Sequence, residues 1–225
     1  MVNKVILDLC GGTGAWSRPY REAGYIVHVI TLPTYDVTKV EFGTYAMEFI
    51  RQDVHYRDTL TVPYENVYGI LAAPPCTEFS FARTNGKNPT NFREGMKTVD
   101  ACLRIIWECK YKAWDNGKIN GFKFWALENP NGYLRHFLGQ PAYNFQPWEY
   151  GDPYTKSTDL WGKFNIPEKS PVELDTTQKK QSHRNLRDLP PIPEDYVIPK
   201  NTSKRAAARA ITPAGFAEAF FKANK

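Results

Sequence analysis

The sequence predicts an α/β fold, a mostly parallel sheet with helices on both faces. Three observations carry this. Short apolar runs alternate with segments of helical period through the first 127 residues. The first run ends at Asp8-Leu9 and turns at once through Gly11-Gly12-Thr13-Gly14. A later run, Val67-Tyr68-Gly69-Ile70-Leu71-Ala72, stops at Pro74-Pro75 and is followed by Cys76. Proline fixes its own φ and restricts the residue before it. Cys76 therefore stands on stiffened backbone at the carboxyl end of a strand, the edge where open α/β sheets bind ligands.

Taken in order, Lys4 to Leu9 predicts a strand, and the glycine turn leads into a short helix through Arg21 and Ala23. Ser17 is placed to cap that helix, and Gly24 supplies its left-handed stop. Tyr25 to Ile30 reads as a second strand, Met47 to Arg51 as a third and Val67 to Ala72 as a fourth. From Asn91 to about Trp114, Met96, Val99, Leu103, Ile106 and Trp107 recur at helical spacing and predict an amphipathic helix facing the sheet. Lys123 to Leu127 is another strand, ending at Glu128-Asn129-Pro130. Residues 165–200 are rich in proline and charge, and Leu189-Pro190-Pro191-Ile192-Pro193 reads as extended chain. At Thr212-Pro213 threonine is placed to cap a last helix whose apolar face is Phe216, Ala217, Phe220 and Phe221. The expected organisation is an α/β domain over 1–164, a small proline-rich segment over 165–207, and a C-terminal helix returning over 208–225.

Composition narrows the function classes. A chain of 225 residues fits one domain with a small appendage. No apolar run approaches the roughly 20 residues needed to cross a membrane, and the first residues lack the layout of a signal peptide. Four cysteines (10, 76, 102, 109) have no CxxC spacing, which favours free thiols in a reducing, cytoplasmic compartment. Histidines 28, 55, 136 and 183 are scattered, so no metal site is expected. The formal charge of +5 is compatible with a nucleic-acid partner without establishing one.

Five constellations are candidates for chemistry. Asp8 to Gly14 joins a strand to a helix through glycines, which suits a nucleotide-like cofactor. It has no lysine and so is not a phosphate-binding P-loop. Cys76 is a nucleophile if its thiolate is accessible. Glu128 ends a strand and faces the same edge as Cys76 in a parallel sheet. Each of these residues alone is as well explained by a structural role. Together on one edge they are hard to attribute to coincidence. Lys156, within Tyr150-Gly151-Asp152-Pro153-Tyr154-Thr155-Lys156-Ser157-Thr158, could reach a phosphate or base oxygen, though a solvated hairpin is the plainer reading. The basic set Lys179, Lys180, His183, Arg184, Arg187, Lys204, Arg205 and Arg209 is either a solvated face or a phosphate-binding one.

In this order the motifs resemble those of the DNA (cytosine-5) methyltransferases, specifically the small phage type. Asp8-Leu9-Cys10-Gly11-Gly12-Thr13-Gly14 is similar to the family's first motif, with Cys10 where phenylalanine is usual. Thr31-Leu32 falls where the family places an acid on the cofactor ribose, and Asp53 where it places the acid that meets adenine. Pro75-Cys76-Thr77-Glu78-Phe79-Ser80 resembles the nucleophile motif and Glu128-Asn129-Pro130 the Glu-Asn-Val motif. Lys156 and Thr158 take the places of two arginines, and Arg209, in Ala208-Arg209-Ala210-Ile211-Thr212-Pro213, takes that of an asparagine in the last motif.

The resemblance implies a Rossmann-like, class I fold that binds S-adenosylmethionine. It implies Asp8, Cys10, Gly12, Gly14, Thr31, Leu32, Asp53, Pro74 and Arg209 as cofactor residues. Cys76, Glu128, Lys156 and Pro75 become catalytic, and Ser80, Thr158, Lys180 and Arg184 contact a double-stranded DNA substrate. The implied mechanism is attack of the Cys76 thiolate on cytosine C6 of a flipped base, with Glu128 holding N3 and the exocyclic amine and the methyl group passing to C5. Arg209 also raises the option of a carboxylated donor, carboxy-S-adenosylmethionine. Three alternatives stay open: a catalytically silent DNA-binding relative, an RNA or nucleotide cytosine methyltransferase, and, with least support, a thiol redox protein.

Overall fold

The computed structural model describes residues 4–81, 89–115, 121–174, 190–194, 196–198 and 202–225. In order, the chain forms β1 (Val5–Leu9), α1 (Arg18–Glu22), β2 (Ile26–Ile30), β3 (Glu41–Phe42), β4 (Ala46–Ile50), β5 (Thr59–Pro63) and β6 (Val67–Ala72). It continues with α2 (Phe92–Asp115), β7 (Phe124–Pro130), α3 (Arg135–Leu138), β8 (Tyr143–Phe145), β9 (Thr158–Lys163), α4 (Lys204–Ala210) and α5 (Ala214–Asn224). A six-stranded sheet has the order β2-β1-β6-β7-β9-β8. The β2-β1-β6-β7 half is parallel, and β9 and β8 run antiparallel to their neighbours. The expected mostly parallel α/β architecture is present.

Alternation along the strands divides the core in two, because successive strand side chains point to opposite faces. Val5, Leu7 and Leu9 of β1 join one apolar cluster, together with Val99, Cys102, Ile105, Ile106 and Cys109 of α2. Ile6 joins the other, with Tyr20 of α1 and Phe216, Ala217 and Phe220 of α5. The second cluster is a layer of rings; Phe145 and Phe216 stack 3.7 Å apart and 8° from parallel.

Several expectations are corrected. The third strand exists, but β4 belongs to a separate antiparallel sheet, β3-β4-β5, that packs on the α2 side of the core. The expected α2 stripe holds at Val99 and Ile106, which are buried, and at Met96 and Leu103, which pack on the core; Trp107 is 40% exposed, and Cys102 and Cys109 join the buried face instead. Ser17 holds the N-cap position of α1 as expected, but its hydroxyl makes no cap bond and donates instead to Asp8 at 2.5 Å and to the Gly14 carbonyl at 3.2 Å. Thr212 does not cap α5 either. Pro213 holds the cap position, and the Gly215 N–H donates across the molecule to the Asp152 carboxylate at 3.0 Å. Helix α4 spans the expected boundary between residues 207 and 208, with Ser203 as its cap. Among the described residues no helix is long and apolar enough to cross a membrane.

The registers set up the site. Leu9 pairs with Ile30 and Ala72, and Ala72 pairs with Leu127, so four parallel strands end at one edge. Because β9 is antiparallel, it begins where they end, with Thr158 opposite Pro130. Lys156, two residues before β9, thereby arrives at the edge that carries Cys76 and Glu128.

Candidate active site

A cavity of about 940 Å³ opens at this edge. Its walls include Asp8, Cys10, Gly12, Thr31, Leu32, Pro74, Pro75, Cys76, Ser80, Glu128, Lys156 and Arg209. Twelve residues picked from the sequence therefore come together in one space.

The thiol segment is pinned from several sides. The Ala73 N–H donates to the Leu9 carbonyl at 2.9 Å, which prolongs the β6–β1 pairing. Asn129, fully buried on β7, donates from Nδ2 to the Pro74 carbonyl at 2.9 Å. Beyond Cys76 the chain doubles back, with the N–H groups of Phe79 and Ser80 donating to the Cys76 carbonyl at 3.0 and 2.9 Å. Ser80 pairs with Gly132, and the Tyr133 N–H donates to the Phe79 carbonyl at 2.8 Å. A Cβ on Gly132 would lie 2.2 Å from that carbonyl oxygen, so only glycine permits this approach. Asn129 of β7 and the return of Phe79 and Ser80 thus hold the thiol segment from both sides.

Electrostatics at the thiol are balanced between opposing charges. Burial, and then the Glu128 carboxylate, push the Cys76 thiol above its ordinary value, while Lys156 and Arg209 pull it down. Burial is also the main reason the Glu128 carboxyl is raised, with Lys156 opposing and Asp159 adding to the rise. Lys156 Nζ lies 3.8 Å from Glu128 Oε1, with its side chain 8% exposed. Asp159 itself is paired with Arg135 through two contacts of 2.6 Å and accepts a hydrogen bond from Asn144 Nδ2 at 2.6 Å. A carboxyl group with a raised pKa beside a thiol is suited to hold or give a proton to a bound base.

At the other end, the turn is shaped by main chain. Cys10, Gly12 and Gly14 have φ of 56°, 56° and 70°. The Cys10 N–H donates to the Ile30 carbonyl at 2.7 Å, which fixes the turn to the end of β2. Positive φ is costly for cysteine, as it is for other residues with a Cβ. Asp8 sits beneath the turn, fully buried, and burial raises its pKa to about 6 despite the Ser17 hydrogen bond. Its Oδ1 has no hydrogen-bond partner among the described residues. A Cβ on Gly11 would meet the Asp8 carboxyl at 2.2 Å. Asp8 therefore supports the turn from below.

Three expected residues, Asp53, Thr158 and Gly14, do not line the cavity. Asp53 is outside the cavity walls, because the strand before it belongs to the second sheet. Its carboxylate is held by Arg51 at 3.0 and 3.1 Å and by Thr34 at 3.3 Å. Thr158 is buried in β9, and its hydroxyl donates to the Lys156 carbonyl at 2.9 Å, so it shapes the Lys156 segment and does not line the cavity. Lys180 and Arg184 lie outside the described residues. Gly14 contributes its turn geometry without lining the space.

The cavity also contains residues not singled out from the sequence. Asp36 lines it beyond Thr31, and accepts from the Thr38 N–H at 3.0 Å and hydroxyl at 2.7 Å. An acid shortly after a strand with none at its end was the available signal. Gln146 and Asn131 line the end near Lys156, and the Gln146 side chain accepts the Lys156 N–H at 2.9 Å. Tyr196, from the proline-rich segment, brings its hydroxyl within 3.6 Å of a Cβ position on Gly12. Nothing in the sequence marked that tyrosine. Among the described residues no group of three or more His, Cys, Asp or Glu could hold a metal ion.

No protein-family model matches this chain, and no curated protein matches it.

Proposed function

We propose that the chain is an S-adenosylmethionine-dependent cytosine-5 methyltransferase acting on DNA. The observation that carries this reading is the arrival of Cys76 and Glu128 at adjoining parallel strand ends, tied by Asn129 to Pro74 and faced by Lys156. A pyrimidine needs a nucleophile at C6 and a proton-holding group at N3 together, and few arrangements supply both.

The cavity chemistry fits the cofactor. The glycine turn supplies close main-chain approach, Thr31 and Asp36 supply groups for a ribose diol, and Arg209 supplies a cation for a carboxylate. Arg209 Nε is buried with no partner among the described residues, which a cofactor carboxylate would satisfy. The bound cofactor would supply an electrophilic methyl group. The protein's own residues do the rest. Cys76 Sγ, deprotonated, bonds to C6 and shifts electron density to C5. Glu128 donates a hydrogen bond to N3 and accepts one from the exocyclic amine, so its raised pKa favours the required proton. Lys156 restrains that carboxyl and stabilises the thiolate. With C5 methylated, its proton passes to water in the open cavity, the C–H electron pair forms the C5–C6 double bond, and the Sγ–C6 pair returns to sulfur, which restores the ring and the thiolate. The target must leave its helical stack to reach the thiol.

The test is incubation with duplex DNA, single-stranded DNA or RNA and labelled S-adenosylmethionine, followed by digestion to nucleosides and mass spectrometry. Label in 5-methylcytosine that disappears in Cys76→Ala is expected. Label that survives the substitution, or a wild type that modifies no polymer, overturns the reading. RNA labelling without DNA labelling reassigns the substrate. The unpartnered Arg209 Nε also favours a second reading, use of carboxy-S-adenosylmethionine; a carboxymethyl product from the wild type and none from Arg209→Ala would establish it.

A further inference from the structure

Beside the thiol segment lies a second depression of about 360 Å³, lined by Thr90, Phe92, Tyr133, His136 and Phe137. Its rings form a continuous wall. Phe92 is 5.6 Å from Tyr133 and 5.4 Å from Phe137, and Tyr133 is 6.2 Å from His136 at 31°. Neither His136 nor Phe137 is covered, and Phe137 is 46% exposed.

This groove is joined to the main cavity through ring contacts and main chain. Phe81, 45% exposed, lines the main cavity and packs edge-on against Tyr133 at 4.8 Å. The Tyr133 N–H donates to Phe79, and Gly132 pairs with Ser80, so groove and thiol share one stretch of backbone. Because Ser80 folds back onto the Cys76 carbonyl, the groove stands close to the reacting centre.

We propose that this groove is a stacking subsite for the nucleobase next to the reacting pyrimidine on the same strand. The inference rests on the polynucleotide reading above. Drawing one base out of a strand leaves its neighbour without a stacking partner. Aromatic faces replace that partner for any base, since every base has a π-face. The wall holds rings and a single hydroxyl-bearing threonine beyond Tyr133, which suits a planar ligand held by its face more than one read by its edge. Contact here grips the strand without fixing its sequence.

The experiment uses oligonucleotides with one target cytosine whose neighbour is a normal base, an abasic analogue or 2-aminopurine. Binding is followed by fluorescence anisotropy for wild type, Phe137→Ala and His136→Ala. His136→Ala is included because Phe137 also contacts Phe79 of the thiol segment at 6.0 Å. The expected result is about tenfold weaker binding of the normal neighbour by each variant, with no further loss on the abasic oligonucleotide. Quenching of 2-aminopurine by wild type, relieved in both variants, is expected as well. Equal losses on normal and abasic strands, no losses, or absent quenching overturn the proposal while leaving the methyltransferase reading intact. Failure to bind any oligonucleotide overturns both.

Discussion

At the glycine-turn end of the cavity the shape is set by main-chain angles, whereas at the thiol end it is set by side chains and backbone locked to one another. The turn reaches its form through φ of 56° to 70° at Cys10, Gly12 and Gly14, and the side chain beneath it, Asp8, carries an unpartnered oxygen. The thiol segment is held by Asn129, by the Gly132–Ser80 pairing and by the return of Phe79 and Ser80 onto Cys76. A cradle that grips a ligand through main chain tolerates changes of side chain. A segment that must present one atom at one height does not.

That contrast can be broken most directly at Gly132. Gly132→Ala places a methyl 2.2 Å from the Phe79 carbonyl oxygen, which the main chain on both sides must move to admit. Destabilisation of about 3 kcal/mol by urea unfolding, with methyl transfer falling further than the folded fraction, is expected. An unchanged unfolding midpoint would mean the thiol segment is looser than described.

The next effect lies under the turn. Asp8 is raised from an ordinary 3.8 to about 6. A raised acid stabilises the fold fully below its unfolded pKa, and that contribution is lost as pH rises through the folded value. Stability should therefore fall between about pH 4 and pH 6 and stay lower above, by roughly 3 kcal/mol at most. Asp8→Asn should flatten that slope and leave the variant more stable than wild type at pH 8. A wild-type stability that is level across this window contradicts the raised value.

A smaller effect tests the charge balance at the thiol. Lys156 lowers the Cys76 pKa against burial and Glu128. Lys156→Met should slow Cys76 alkylation by iodoacetamide at pH 8.5 about threefold to tenfold, with the pH profile moved upward. Faster alkylation would reverse the assigned sign. The smallest effect is expected at Asp53. Its ion pair with Arg51 is screened by solvent, so Asp53→Ala should leave the urea unfolding midpoint nearly where it is and cofactor affinity unaltered. A tenfold loss of cofactor affinity would return Asp53 to the site.

What could be read from the residues follows the same division. Strands β1, β6 and β7 announce themselves as apolar runs because both faces are covered, and Pro74-Pro75 marks where one of them stops. Cys76 and Glu128 were legible because strand ends share an edge in such a sheet, whereas Lys156 was assigned to the site only by the resemblance, since it reaches that edge ahead of an antiparallel strand that the residues did not announce. Asp53 was misplaced because a strand reveals its length and burial but not which sheet it joins. Thr158 was misread because its side chain points into the fold rather than the cavity, a matter of register across β7 and β9. On α2 the stripe was legible at Met96, Val99, Leu103 and Ile106; Trp107 lies at its margin, and the small buried Cys102 and Cys109 carry too weak an apolar signal to be picked out. Asp36, Gln146 and the groove at Tyr133 come from loops and turns, where no periodicity exists to be read.

Trp16 has a consequence for how occupancy of the cavity can be observed. Its indole is 2% exposed, lines the cavity, and packs edge-on against Phe220 at 5.4 Å. The other tryptophans whose side chains are described, at 107, 125, 148 and 161, do not line that space. An indole held in a dry wall emits at short wavelength, and a ring or charge brought against it alters both intensity and lifetime. The fold thus carries its own optical gauge, placed where a ligand would register in the emission before any product had formed.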